Sequence, residues 1–127
     1  MLAAPDAPYQ LKNTRTGEVL VAALEGAFTR QSRNRGLLGR EGLAPGSGLL
    51  IAPCSSIHTF WMRFAIDVLF LARDGCVRKI ARAVPPWRLV FGLGAFAVLE
   101  LPARAASTTQ AGDVLIIAPV VRRDVVS

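Results

Sequence analysis

The sequence predicts a β-dominated α+β fold: six to eight short strands forming a bent sheet or small, partly open barrel, with one short helix packed on it. Three observations carry that expectation. Short runs rich in Val, Ile, Leu and Phe recur along the chain, each closed off by Gly, Pro or Asp-Gly. Only one stretch, after Thr29, has the signals of a helix start. Finally, 127 residues, 52% of them hydrophobic, suit one core and are too few for two. The chain is read as a single domain over 1–127, with a loosely ordered start at 1–17, a core at 18–118 and an edge strand or tail at 119–127.

Taken in order, the elements are justified as follows. Tyr9 to Lys12 reads as a short edge strand before a turn at Thr16-Gly17. Glu18 to Leu24 (EVLVAAL) is the first firm strand, because branched apolar side chains fit a pleated, half-buried surface. Thr29 offers an N-cap hydroxyl to the exposed amides of a helix over about Arg30 to Leu38. That segment is polar until Leu37 and Leu38, so the helix lies on the surface and is anchored by its last turn. Gly48 to Pro53 (GLLIAP) reads as a buried strand, Ile57 to Met62 as an extended piece, and Ile66 to Ala72 (IDVLFLA) as the strongest strand. Asp74-Gly75 between apolar runs signals a hairpin, since Gly readily takes the positive φ such a turn needs. Cys76 to Val84 alternates apolar and basic residues, as a half-exposed strand does. Pro85-Pro86-Trp87-Arg88 breaks it, and Gly92 and Gly94 punctuate a loop. Ala95 to Leu101 and Val114 to Ala118 are further strands, separated by a small polar segment with room for a helical turn. Val120 to Val126 reads as a last edge piece or tail.

Charge and composition narrow the partners. The net charge is +6, and thirteen of the fifteen basic residues are Arg, scattered along the chain. Such a charge permits attraction to nucleic acid, for which Arg30, Arg33, Arg40, Arg78 and Arg82 would have to share one face. No apolar run approaches the roughly 18 residues of a membrane span. MLAAPDAPYQ also lacks a basic start followed by an apolar stretch, so a cytoplasmic protein with no membrane partner is expected, its Cys54 and Cys76 as free thiols. There is no CxxC, HxH or HExxH, and neither metal nor cofactor is expected.

Chemically capable residues concentrate between Cys54 and Gly75, a stretch that holds His58, the only histidine. The first reading is a non-catalytic binding module for a small polar or anionic ligand, or for a partner's peptide. Its site would be His58, Trp61, Arg63, Asp67 and Trp87, with Phe60 and the tryptophans as an apolar wall. The second is a hydrolase or transferase using Cys54, or a carboxylate, with His58, since a neighbouring imidazole activates a thiol. Four residues along a strand separate that pair by about 13 Å, so only a turn at Ser55-Ser56 would join them. Asp67 opens an apolar strand, where a carboxylate needs a guanidinium (Arg63 being nearest in sequence) or several backbone amides. Glu100 in VLELP is embedded in the same way, and the two acids could do joint acid–base work only within about 5–10 Å of each other. Monomer and homodimer both fit.

The segments SRNRGLLGR, GLLIAPCSSIHTFWMRFAIDVLFLARDG, VLELP and AGDVLII together resemble the domain-of-unknown-function 192 family, from about Glu18 to Ile117. The resemblance implies a compact, β-rich single domain with no established activity. It places Arg35, Gly36, Trp61, Met62, Arg63, Asp67 and Glu100 on motif positions. Two positions depart from the family pattern: Ala65 stands where proline is usual, and Arg104 where glycine is favoured.

Overall fold

A computed structural model describes residues 9–120. Ten strands and one helix follow one another as β1 (Tyr9–Asn13), β2 (Val19–Val21), β3 (Ala23–Ala27), α1 (Arg30–Arg35), β4 (Ser47–Ile51), β5 (Ser56–His58), β6 (Ile66–Leu71), β7 (Val77–Val84), β8 (Leu89–Phe91), β9 (Ala97–Pro102) and β10 (Leu115–Pro119). They form a five-stranded sheet in the order β3-β4-β9-β6-β7, a three-stranded sheet β10-β1-β2 and a two-stranded ribbon β5-β8. Only β3 and β4 run parallel; the other pairs are antiparallel.

The five-stranded sheet is covered on both faces, which is why β6 is apolar almost throughout and buried at every residue. Leu69 and Leu71 join Leu50, Leu99 and Leu101 against Leu11, Val21 and Leu115 of the three-stranded sheet. Ile66, Val68 and Phe70 point the other way, with Leu49, Ile51 and Val98, and are covered by Leu37 after the helix, Ile57 of the ribbon and Met62.

The sheets do not close into a barrel. The five- and three-stranded sheets enclose one of the two apolar clusters between them and approach at two seams. At the first, the chain passes from β2 to β3 through Ala22; the Ala22 and Ala23 amides both donate to the Gly46 carbonyl, at 2.8 and 3.0 Å. At the second, Cys76 bridges Val114, and Gly75, at φ 89, accepts the Leu115 amide at 3.0 Å. A Cβ on Gly75 would collide with the Leu115 carbonyl. This is the Asp74-Gly75 hairpin, with Asp74 Oδ1 accepting from the Cys76 amide at 2.9 Å.

Several expectations need correction. There are ten strands, above the predicted six to eight. Glu18–Leu24 breaks at Ala22 into β2 and β3, which serve different sheets. Within the expected loose start, Tyr9–Asn13 is the central strand of its sheet and no edge, with Leu11 and Asn13 buried. Leu89–Phe91 is a strand where a loop was expected. The helix stops at Arg35 because Gly36, at φ 48, turns the chain inward and buries Leu37. Arg104 occupies its turn at φ 76, the left-handed region that explains a preference for glycine there. The predicted tail at 119–127 falls outside the described residues beyond 120. No helix is long and apolar enough to cross a membrane among the described residues. Cys54 and Cys76 are free thiols.

Candidate functional site

Helix α1 is made entirely of polar residues and buries none of them. Its start is fixed by a capping box: Thr29 Oγ1 accepts from the Ser32 amide and Ser32 Oγ from the Thr29 amide, each at 3.0 Å. Its last turn from Arg33 and the following Gly36 to Leu38 roof a cavity of about 330 Å³. The other walls are Ile51, Cys54, the strand β5 from Ser56 to His58, Met62 and, from β9, Glu100.

Glu100 is the chemical centre of this hollow. It lies in the middle of the sheet between Leu49 of β4 and Val68 of β6 and is only 3% exposed. Its Oε1 has no hydrogen-bond partner among the described residues. Burial pushes its carboxyl up to about 7, and the opposing charge of Arg40 does not cancel that. Arg40 itself is held by Glu25 through two bonds of 2.8 and 2.9 Å, which also keep the Glu25 carboxyl below its usual value. At neutral pH Glu100 can therefore serve as donor or acceptor. A second hollow of about 420 Å³ shares Arg35, Gly36 and Leu38 with the first, so these residues stand between the two.

Cys54 and His58 both border the cavity, yet their hydrogen bonds go elsewhere. Cys54 donates to the Ser56 carbonyl at 3.0 Å, and burial raises its thiol pKa, the reverse of what a nucleophile requires. His58 Nδ1 accepts from the Phe60 amide at 3.2 Å, so Nε2 carries the proton of the neutral ring. Among the described residues no three His, Cys, Asp or Glu side chains group as metal ligands would.

The remaining predicted residues do not share this opening. Asp67 faces the opposite side of the sheet. Its two oxygens accept the Ala83 and Ala106 amides at 2.8 and 2.9 Å, so backbone and not Arg63 satisfies it. The Ala83 bond sits at a register shift between β6 and β7, where Ala83 takes φ 49. Glu100 and Asp67 thus lie on different faces and cannot act jointly. Arg63 is exposed and meets Glu41 at 3.4 Å. Trp61 and Trp87 stand outside the cavity, packed edge to face with centroids 4.6 Å apart. Phe60 links this pair to His58, stacking on the imidazole at 5.0 Å. The predicted pocket of His58, Trp61, Arg63 and Trp87 is an external aromatic cluster, because Thr59 ties the two turns together from beneath. Its hydroxyl donates to the Pro85 carbonyl and accepts the Arg88 amide, at 2.7 and 2.8 Å.

Sequence reasoning did not assemble Arg35, Gly36 and Glu100 into one place. The available signal was an acid inside an apolar strand, together with the motif positions. Of these, Arg35, Gly36, Met62 and Glu100 all line the cavity.

Solved structures share the fold. One is described as a "putative transcription regulator" from Sinorhizobium meliloti 1021, with TM-score 0.76 and 23% identity, over 91% of this chain and 96% of that one. Another is a protein of unknown function from Novosphingobium aromaticivorans DSM 12444, with TM-score 0.74 and 22% identity, over 91% of both chains. No curated protein matches the chain. At such identities the likeness concerns architecture alone. Residues 11–117, nearly all of the described residues, match the family DUF192, described as "Uncharacterized ACR", and the chain belongs to that family.

Proposed function

We propose that this domain is a non-catalytic binding module whose site is the cavity beneath α1. The observation that carries the reading is the buried, unpartnered Oε1 of Glu100 in that cavity. Leaving such an atom unsatisfied costs about 1–3 kcal/mol, which a ligand's N–H or O–H would recover. At about 330 Å³ the hollow suits a small molecule. Arg35 in its wall favours an anionic group on the same ligand. A small zwitterion, with an ammonium for Glu100 and a carboxylate for Arg35, meets both requirements. The grouping of four motif positions around the hollow supports the same site.

A hydrolase or transferase is less well supported, because the thiol of Cys54 is held as donor to a carbonyl with a raised pKa. The regulator description of the Sinorhizobium protein would suit nucleic-acid binding. However, Arg33 is bonded to the Phe28 carbonyl, Arg40 to Glu25, and Arg82 to the carbonyls of Ala106 and Thr109.

The test is a titration of the labelled protein with each common amino acid, followed by amide chemical shifts. The expected result is saturable movement of Leu37, Leu49 and Val68 by at least one probe, weakened about tenfold or more in Glu100→Gln and Arg35→Gln. If no probe moves these amides in the folded protein, the zwitterion reading fails. If binding survives both substitutions, the site lies elsewhere.

A further inference from the structure

The ribbon β5-β8 presents two unlike faces. Ile57 and Val90, paired in its middle, turn toward the sheet. In the flanking pairs, Ser56 with Phe91 and His58 with Leu89, the β8 partners Leu89 and Phe91 turn outward, at 55% and 58% exposed, while Ser56 and His58 border the cavity beneath α1. Trp61 and Trp87 extend this strip at one end, at 71% and 52% exposed, and Leu93 at the other, at 96%. The two tryptophans sit at φ 68 and 67, a backbone conformation bulky residues rarely adopt, so the fold holds them outward against local preference.

Basic residues predominate around the strip, although Asp74 shares a hollow with Gly94 beside the Leu93 end. Arg63 and Arg88 flank the tryptophan end. At the Leu93 end Lys79 donates to the Phe91 carbonyl at 2.6 Å, and Arg78 lies beside Gly94. No acid occurs between residues 75 and 99 or between 42 and 66, and Glu41 is already opposite Arg63. None of the four cavities described is lined by Trp61, Trp87, Leu89, Phe91 or Leu93. A peptide's side-chain anchors need pockets, and this face offers a ridge. A second copy would bring the cations of two strips together. A bilayer surface needs no pocket, accepts tryptophan at its headgroup level, and when anionic complements the arginines and lysine.

We infer that the outer face of β5-β8, with Trp61, Trp87 and Leu93, is a peripheral docking surface for anionic lipid bilayers. The expectation of no membrane partner rested on the lack of a spanning segment, which this mode of attachment does not use.

The test is co-sedimentation of the full chain with phosphatidylcholine vesicles, alone or with about one third phosphatidylserine, while tryptophan emission is followed. The expected result is binding to the anionic vesicles with a blue shift, weakened by salt and reduced about tenfold or more in the double variant Phe91→Ser, Leu93→Ser. The unfolding midpoint of the double variant should match the parent's. If the double variant does not fold, Leu93→Ser alone, together with quenching of emission by acyl-chain bromines, decides the matter. Absence of binding at low salt overturns the inference. Undiminished binding of the folded variant, or bound protein that the bromines do not quench, reduces the attraction to net charge and also overturns it. A dimer in solution that the variant dissolves assigns the strip to self-association instead.

Discussion

Asp67 and Glu100 are carboxylates buried on opposite faces of one sheet, and their surroundings differ in a way that can be measured. Asp67 accepts two backbone amides, from Ala83 and Ala106. Asp67→Asn would turn an N–H toward one of them, and a loss of about 2–3 kcal/mol in urea unfolding is expected. Glu100 has no such donors, and its ionised form is penalised by burial. Its folded pKa of about 7 exceeds the ordinary 4.5, so the unfolded chain holds fewer protons between those values. The contribution of Glu100 to stability is therefore full below about pH 4.5 and falls by up to about 3 kcal/mol as pH rises through 7. Glu100→Gln should flatten that slope, read from unfolding midpoints across pH. Arg104, exposed at φ 76, is a third residue-scale case. Arg104→Gly should raise stability by about 1 kcal/mol, seen as a higher thermal midpoint. That Asp67 and Glu100 needed partners was legible in the sequence. The identity of those partners was not, since Ala83 and Ala106 are brought near Asp67 only by tertiary pairing.

At the level of elements, the continuous apolar runs that became β4, β6 and β9 were readable because both faces of their sheet are covered. The ribbon was not. Leu-Val-Phe in β8 shows no polar alternation, because its outward residues are as apolar as its inward one. Its seat depends on Gly92, whose amide donates to the Ser55 carbonyl at 2.8 Å and whose backbone packs closely against the Phe70 side chain. A Cβ there would overlap that ring. Gly92→Ala should thus cost about 1–3 kcal/mol. Faster hydrogen exchange across β5-β8 than across β6-β9 in that variant would localise the damage.

Over the whole molecule, charge is arranged so that two acids oppose each other in their response to pH. Asp113 is held well below the usual carboxylate range by Arg15, then by Asn13 and the Gln110 amide, in a cluster tying β1 to the segment before β10. A depressed carboxylate contributes stability above its unfolded value near 3.8, and that contribution is lost as pH falls below it. Glu100 works in the other direction above about 4.5. The unfolding midpoint is therefore expected to peak between about pH 4 and 5, low for a chain of net charge +6. Asp113→Asn should remove the acid limb and Glu100→Gln the neutral one. A midpoint that still climbs toward pH 8 would contradict this account.

Six residues make α1 far shorter than a helix that persists alone, and none of them reaches the core. The Thr29–Ser32 cap, the Arg33 bond to the Phe28 carbonyl and the apolar contacts of Leu37 and Leu38 hold this segment. The ceiling above the lone carboxylate is consequently held by few apolar contacts, and a guest could enter by local fraying while the β scaffold stays shut.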